Sequence, residues 1–195
     1  MNIREEAKKV DWNNSKKVVD FYESHKLYFS NADKIGDDDT LLYIVSIKHH
    51  YANALFLKSH YDKTYPVIDD AMGILDRVTS QPELVEKLRT LFTFLKARAL
   101  NNQKNYHKAH PILKKLLDED PDNITYRDWY LNNKMGTLNI YFWGITVVGV
   151  CLVFTYWIFD IEASLDLIGL FIIVGGYLSH EAIHWRFKSK LNNPN

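Results

Sequence analysis

Cysteine is almost absent from this chain of 195 residues, in which Cys151 is the only one. An internal disulfide and a cysteine-rich zinc site are therefore both excluded. The class of small secreted domains held together by disulfides is excluded for the same reason. Lysine and arginine total 24, and aspartate and glutamate also total 24. Because no net charge would attract the chain to DNA or RNA, we expect no nucleic-acid partner.

Glycine and proline are also sparse, with 8 and 5 residues respectively. The sequence contains no glycine-rich phosphate loop, no G-x-S-x-G elbow and no cysteine–histidine nucleophile pair. The first ten residues are highly charged and no apolar stretch follows them, so we expect no signal peptide. These absences favour an all-α protein.

Apolar residues recur at helical spacing in the polar part of the chain. The spacing predicts an amphipathic helix over residues 15–30 and a second helix over residues 40–59. Between them, the run Asp37–Asp38–Asp39 lacks the spacing of a calcium loop. It predicts the start of the second helix, with Asp39 or Thr40 as the capping residue.

A third long helix is predicted over residues 82–100. Ser80 and Glu83 have the spacing of a capping box, and Pro82 between them suits a first helical turn. The expected core face of this helix consists of Leu84, Leu88, Leu91, Leu95 and Ala99.

One pattern occurs twice in the sequence. Residues 61–68, YDKTYPVI, reappear as residues 106–113, YHKAHPIL, so that tyrosine, lysine, proline and two aliphatic residues recur at an offset of 45. Such self-similarity is typical of stacked helical repeats, in which each helical pair completes its core against its neighbour.

The segment from about residue 90 to residue 123 resembles a tetratricopeptide repeat (TPR). The matching positions are Ala97, Tyr106, Ala109, Leu113, Leu116 and the run Asp120-Pro121-Asp122-Asn123. The earlier copy matches less well, because Thr64 replaces the usual alanine. The resemblance covers roughly 90 residues and implies a concave groove that binds a protein or peptide partner.

The resemblance also implies which residues line that groove. The family's groove positions correspond to His49, Asn53, Arg98 and Asn102, and Lys48 and Tyr51 are secondary candidates. Asn53 matches one residue of the family's carboxylate clamp. His49 stands where that clamp has lysine, so chaperone tails are not the expected partner.

The last third of the chain is predicted to enter a membrane. Residues 138–159 form a run of 22 residues without a charge. As a helix this run would extend roughly 33 Å, enough to cross a hydrocarbon core of about 30 Å. A second apolar stretch over residues 165–183 has Asp166 near its start. We therefore expect a transmembrane helical hairpin, and the five glycines within its two spans would also allow a homo-oligomer.

Basic residues flank the hairpin but are missing from its turn. Arg127 and Lys134 precede the first span, and Arg186, Lys188 and Lys190 follow the second. The positive-inside rule therefore predicts that both termini are cytoplasmic, in a two-span protein of the plasma or inner membrane. The expected domains are a cytoplasmic TPR-like domain over residues 1–134, the hairpin over residues 135–185 and a basic tail over residues 186–195.

The only catalytic-looking motif is H-E-x-x-H, formed by His180, Glu181 and His184. Two histidines one helical turn apart can hold zinc, with the glutamate as base. The motif also resembles the first histidine box of membrane di-iron desaturases and hydroxylases. Because the chain has no second box on a membrane helix, we favour an interfacial cluster and expect no cofactor, with zinc or iron as the alternative.

The sequence therefore predicts a membrane-anchored, TPR-like adaptor that recruits a protein partner to the membrane surface, and no enzyme. Two alternatives remain open. The hairpin could oligomerise and perturb the membrane, with Gly175 and Gly176 at the helix contact, or the H-E-x-x-H motif could make the chain a metal-binding hydrolase or oxidase.

Overall fold

The chain is all-helical in the computed structural model, which describes residues 3–159 and 164–192, without the side chains of 156–159, 164–167, 184, 186–188 and 190–192. The described residues contain no strand, which confirms the all-α prediction. A 3-10 turn, Ala32–Lys34, precedes the fourth helix. The helices are α1 (Ile3–Ala7), α2 (Ser15–Ser24), α3 (Lys26–Ser30), α4 (Asp38–Leu57), α5 (Tyr61–Leu75), α6 (Pro82–Asn102), α7 (Tyr106–Glu119), α8 (Ile124–Phe159) and α9 (Ser164–Asn192). They form two compact units, Met1–Ile112 and Leu113–Asn195.

The first predicted helix is divided in two. His25 lies between α2 and α3 with non-helical dihedral angles. Its Nδ1 and the Ser24 hydroxyl both bond to the Phe21 carbonyl, at 2.9 and 2.8 Å, and its Nε2 bonds to Glu6 at 2.9 Å. Because these side chains satisfy that carbonyl, the helix ends there instead of continuing to residue 30.

The acidic run begins α4, as predicted, but with a different cap. Asp37 is the capping residue, and its carboxylate accepts the Thr40 amide at 2.9 Å. Asp38 accepts the amides of Thr79 and Ser80 at 3.0 and 2.8 Å. These bonds hold the pKa of the Asp38 carboxyl below its usual range.

The capping box predicted for the third long helix does not form. α6 begins at Pro82 as expected, but its cap is Gln81, which has a φ of 53° and no capping side-chain bond. Ser80 is instead held by Asp38. Leu88, Leu95 and Ala99 of the predicted core face are buried, as expected. Leu84 and Leu91 are instead exposed, and the next residues along, Val85 and Phe92, are buried in their place.

The two copies of the sequence pattern follow turns of the same shape. Ser59 and Lys104 both adopt left-handed dihedral angles, with φ values of 60° and 61°. The next amide in each turn bonds to a carbonyl five residues earlier, that of Leu55 or Leu100, at 2.9 Å in both. This is the Schellman arrangement of a helix end.

Burial repeats at the same offset. Paired positions 45 residues apart are buried in both copies: Ala52 and Ala97, Leu55 and Leu100, Thr64 and Ala109, Ile68 and Leu113, and Ala71 and Leu116. Thr64 fits an alanine position because its hydroxyl donates to the His60 carbonyl at 3.0 Å. In the first unit, α4 is the central helix and packs against α2, α5 and α6.

The second unit is built around α8 and α9, which pack antiparallel. Gly149 of α8 and Gly169 of α9 face each other across this pair. A Cβ added to Gly149 would lie 2.7 Å from Ile173 and 3.2 Å from the Gly169 carbonyl oxygen. Glycine is therefore required for this close approach.

One helical segment among the described residues is long and apolar enough to span a membrane, Ile124–Thr155 in α8. Only 6% of its most apolar 18-residue stretch is buried against the rest of the protein. The apolar part of α9, Ile168–Ile183, is shorter than a span of this kind. Of the predicted turn over residues 160–164, residues 160–163 lie outside the described part of the chain, and the second span stays a prediction.

Candidate functional site

The four predicted groove residues lie on two neighbouring helices. His49 and Asn53 are one turn apart on α4, and Arg98 and Asn102 are one turn apart on α6. Because α4 and α6 are in contact, the structure brings these four residues to the same pair of helices. Nothing in this arrangement identifies a ligand, so their role in binding remains a prediction.

Two of the four residues pack the helices together. The His49 ring meets the Phe92 ring of α6 edge-on, with centroids 5.4 Å apart. Burial lowers the pKa of His49 to about 4, so the ring is neutral at physiological pH. The Arg98 guanidinium lies 4.4 Å from the centroid of the Phe56 ring of α4, and burial lowers its pKa as well. Both side chains therefore contribute to the helix interface.

The two asparagines are more open to a ligand. Asn102 is exposed, and its Nδ2 donates to the Tyr61 hydroxyl at 3.3 Å. Asn53 is half-buried and makes no side-chain hydrogen bond to any residue that the structure describes. If the α4–α6 groove binds a partner, Asn53 and Asn102 are the residues that can bond to it.

A concave site lies elsewhere in the same unit, between α2 and α3 on one side and α4 and α5 on the other. We call it the α2–α5 cleft. It has a volume of about 690 Å³, within the range of clefts that bind ligands. Its wall combines aliphatic side chains, two tyrosines and charged groups.

A buried lysine lies beneath this cleft. The Lys48 side chain is only 1% exposed. Its ammonium donates to the Asp70 carboxylate and, at 3.2 Å, to the Tyr22 hydroxyl. It also lies 5.7 Å from the centroid of the Tyr22 ring. A carboxylate and an aromatic ring thus compensate for the burial of this charge.

Stacked aromatic rings continue the floor of the cleft. The Tyr22 and Tyr51 rings are parallel, with centroids 3.8 Å apart, and Phe29 stacks on the other side of Tyr22 at 4.8 Å. The Tyr51 hydroxyl donates to the Glu23 carboxylate. Burial, together with Glu23, raises the pKa of Tyr51, so its hydroxyl stays protonated.

The rim of the cleft is basic. Lys26 pairs with Glu23 at 3.6 Å. Lys58 and Lys63 also line the cleft, and neither forms an ion pair with a residue in the described ranges. Because Asp70 and Glu23 already bond within the wall, Lys58 and Lys63 give the rim a surplus of positive charge.

Sequence reasoning found this cleft only in part. Lys48 and Tyr51 are secondary candidates for the groove in the sequence, but they lie on the cleft side of α4. The sequence does not predict the other polar residues of the cleft, which are Tyr22, Glu23 and Asp70. One local signal was available: Lys48 interrupts a strongly apolar stretch of α4, where a charged side chain needs a partner.

The H-E-x-x-H motif lies in α9. The His180 ring packs against Phe142 of α8, with centroids 4.5 Å apart, and Glu181 is exposed. The side chain of His184 lies outside the described part of the structure. No group of three potential metal ligands occurs among the described residues. Zinc or iron binding by this motif stays an alternative prediction.

Comparisons with known proteins identify no relative. No protein family, curated protein or solved structure matches this chain. Over the residues that the structure describes, the fold and the sites define an all-helical protein with one helix that is long and apolar enough to span a membrane.

Proposed function

We propose that this protein is a membrane-anchored, TPR-like adaptor that holds a protein partner at the membrane surface. In this proposal α8 and α9 are a two-span anchor, both termini are cytoplasmic, and the helices before α8 bind the partner. No resident cofactor is required.

The proposal depends on the apolar surface of α8. Trp143, Val147 and Phe154 are each about 60% exposed. In water each such side chain would forgo roughly 1.5–3 kcal/mol of burial free energy, whereas lipid would solvate it favourably. A hydrocarbon core is therefore the solvent that suits this helix.

The repeated turns and the repeated burial pattern support the adaptor part of the proposal. The two helical pairs share one construction, as neighbouring repeats of a solenoid do, and solenoids bind partners through surfaces that several helices share. The α2–α5 cleft and the α4–α6 pair are both shared between helices in this way.

Arginine substitutions at two equally exposed positions test the membrane anchor. Val147 lies within the predicted span and is 58% exposed, while Ile124 at the start of α8 is 62% exposed and lies outside it. Arginine at the centre of a span costs roughly 2.5–3.5 kcal/mol of insertion free energy. Val147→Arg should therefore reduce the carbonate-resistant membrane fraction, and Ile124→Arg should not. Equal fractions for both variants would contradict the anchor.

Topology and recruitment need separate measurements. Tags at Met1 and Asn195 should both be protected in sealed vesicles whose interior is cytoplasmic; protection of only one would contradict two spans.

A photo-crosslinking residue at Asn102 or Lys63 should form a discrete protein adduct in the membrane fraction, and one at exposed Lys16 should not. Absence of adducts at both Asn102 and Lys63 would contradict recruitment.

A further inference from the structure

We propose that the α2–α5 cleft binds an acidic, partly apolar segment of a partner protein, with its carboxylates on Lys58 and Lys63. This inference rests on the proposed adaptor function and identifies the surface and the chemistry of the partner.

The charges of the cleft are unequally satisfied. The lining contains three lysines and two carboxylates, and Lys48 lies beneath it. Asp70 bonds to Lys48, and Glu23 bonds to Tyr51 and Lys26. Lys58 and Lys63 remain without an ion pair among the described residues. An incoming carboxylate would therefore find two cations that no carboxylate of the cleft neutralises.

The floor of the cleft is fixed before any ligand arrives. The stacked rings of Phe29, Tyr22 and Tyr51 and the bonds to Lys48 connect α2 and α3 with α4 and α5. A preformed surface loses little conformational entropy on binding, which favours affinity for a flexible peptide.

The wall beside the lysines is apolar. Val19 from α2, Leu55 from α4 and Val67 from α5 all line the cleft. An apolar side chain of a bound segment can pack against them while neighbouring carboxylates reach the rim. The segment should therefore contain aliphatic or aromatic residues among its acids.

The shape and charge of the cleft favour a peptide over a lipid headgroup. Because Glu23 and Asp70 lie among the lysines, the surplus of positive charge is confined to Lys58 and Lys63 and does not form the extended basic face that a uniformly anionic bilayer would need. A concave site of about 690 Å³ also offers room for several side chains. A peptide can place its acids beside Lys58 and Lys63 and its apolar groups elsewhere.

The test uses the full chain in a non-ionic detergent and fluorescent peptide pools of equal length. One pool mixes Asp and Glu with Leu, Val and Phe, a second replaces the acids with Lys and Arg, and a third replaces the apolar residues with Ser and Gly. The first pool should bind more tightly than either of the others by about tenfold, as fluorescence anisotropy would show.

Charge reversal at the rim tests the location. Lys58→Glu combined with Lys63→Glu should weaken binding of the first pool by about tenfold or more. The matched control is Lys87→Glu with Lys108→Glu, which makes the same charge change at exposed positions outside the cleft and should leave binding unchanged. Circular dichroism would show that both double variants keep their helix content. Val67→Ser, which keeps every charge, should weaken binding through the apolar wall.

Three results would overturn the inference. They are failure of the acidic pool to bind, equal loss in the cleft and control variants, and cleft-dependent binding of soluble short-chain phosphatidylserine in place of peptide. Each can occur while the protein stays in the membrane fraction and crosslinks through Asn102, so the adaptor proposal would survive. Conversely, loss of the protein from the membrane fraction would contradict the anchor whether or not the peptides bind.

Discussion

Removing the carboxylate beside Lys48 should destabilise the fold more than removing the lysine itself. The two variants are Asp70→Asn and Lys48→Met. Asp70→Asn keeps an amide oxygen that can accept from the ammonium but removes the counter-charge of a lysine side chain that is 1% exposed, which leaves the Tyr22 hydroxyl and ring as its other compensation. Lys48→Met removes the charge and keeps the length of the side chain, so that the apolar stem is replaced by one of similar shape.

The expected loss of unfolding free energy follows from the unequal burial of Lys48 and Asp70. Breaking a fully buried ion pair costs about 3–5 kcal/mol when one charge remains. Asp70 is 57% exposed, so water already screens this pair in part. We expect Asp70→Asn to lower the free energy of unfolding by about 2 kcal/mol. Lys48→Met should lower it by less than about 1 kcal/mol, because the exposed Asp70 carboxylate can be hydrated once it is unpaired. The double variant should match Lys48→Met alone.

Urea unfolding of the full chain in a mild detergent measures these differences, because circular dichroism then follows the helices outside the micelle. With a slope of about 1–3 kcal/mol per molar urea, Asp70→Asn should lower the midpoint by roughly 1 M. Tyr51→Phe serves as a control that alters the neighbouring hydroxyl and leaves the pair intact. A larger loss for Lys48→Met than for Asp70→Asn would refute the argument that the uncompensated charge dominates.

Three further predictions test separate parts of the structure. Burial lowers the pKa of His49 to about 4, so the ring takes up a proton when the protein unfolds between pH 4 and about 6.5. The free energy of unfolding should therefore fall by up to ~3 kcal/mol as the pH drops through this range. His49→Phe should lose most of this pH dependence in urea titrations. Gly149→Ala, whose Cβ would lie 2.7 Å from Ile173, should lower the melting temperature in detergent, and Gly144→Ala, with nothing within 4 Å, should not. Ser59→Gly should raise stability by up to about 1 kcal/mol, since the φ of 60° suits glycine; an unchanged urea midpoint would contradict this.

Local signals in the sequence were sufficient to predict most helices. Pro82 begins α6, as proline at a first helical position predicts, and the acidic run begins α4. The details that failed depend on contacts from distant segments. Ser80 does not cap α6 because Asp38, far earlier in the chain, holds its amide. His25 divides the first predicted helix because its ring bonds to Glu6 and to a helix carbonyl. No periodic pattern contains either contact.

The α2–α5 cleft could not be predicted for a related reason. Its floor joins residues that are 22 to 28 positions apart and come from α2, α4 and α5. Hydrophobic periodicity shows which face of each helix is buried, but not which polar groups from separate helices meet there. The predicted groove, by contrast, rests on a family resemblance. A resemblance indicates which positions line a groove, but not whether the side chains at those positions are already engaged in helix packing. His49 and Arg98 show the difference, because both are engaged in helix packing.

Comparison of the two sequence copies separates what folding requires from what the cleft adds. The buried alanine and aliphatic positions repeat at the offset of 45, but the polar cluster does not. The equivalents of Lys48, Tyr51 and Asp70 are Thr93, Lys96 and Lys115. The helical pair therefore does not depend on the cluster, and a buried lysine–carboxylate pair adds little stability compared with apolar residues of the same size. Because its presence in one copy is not explained by packing, the cluster is best explained by the shape and charge that it gives to the cleft, which is the surface where we expect the partner to bind.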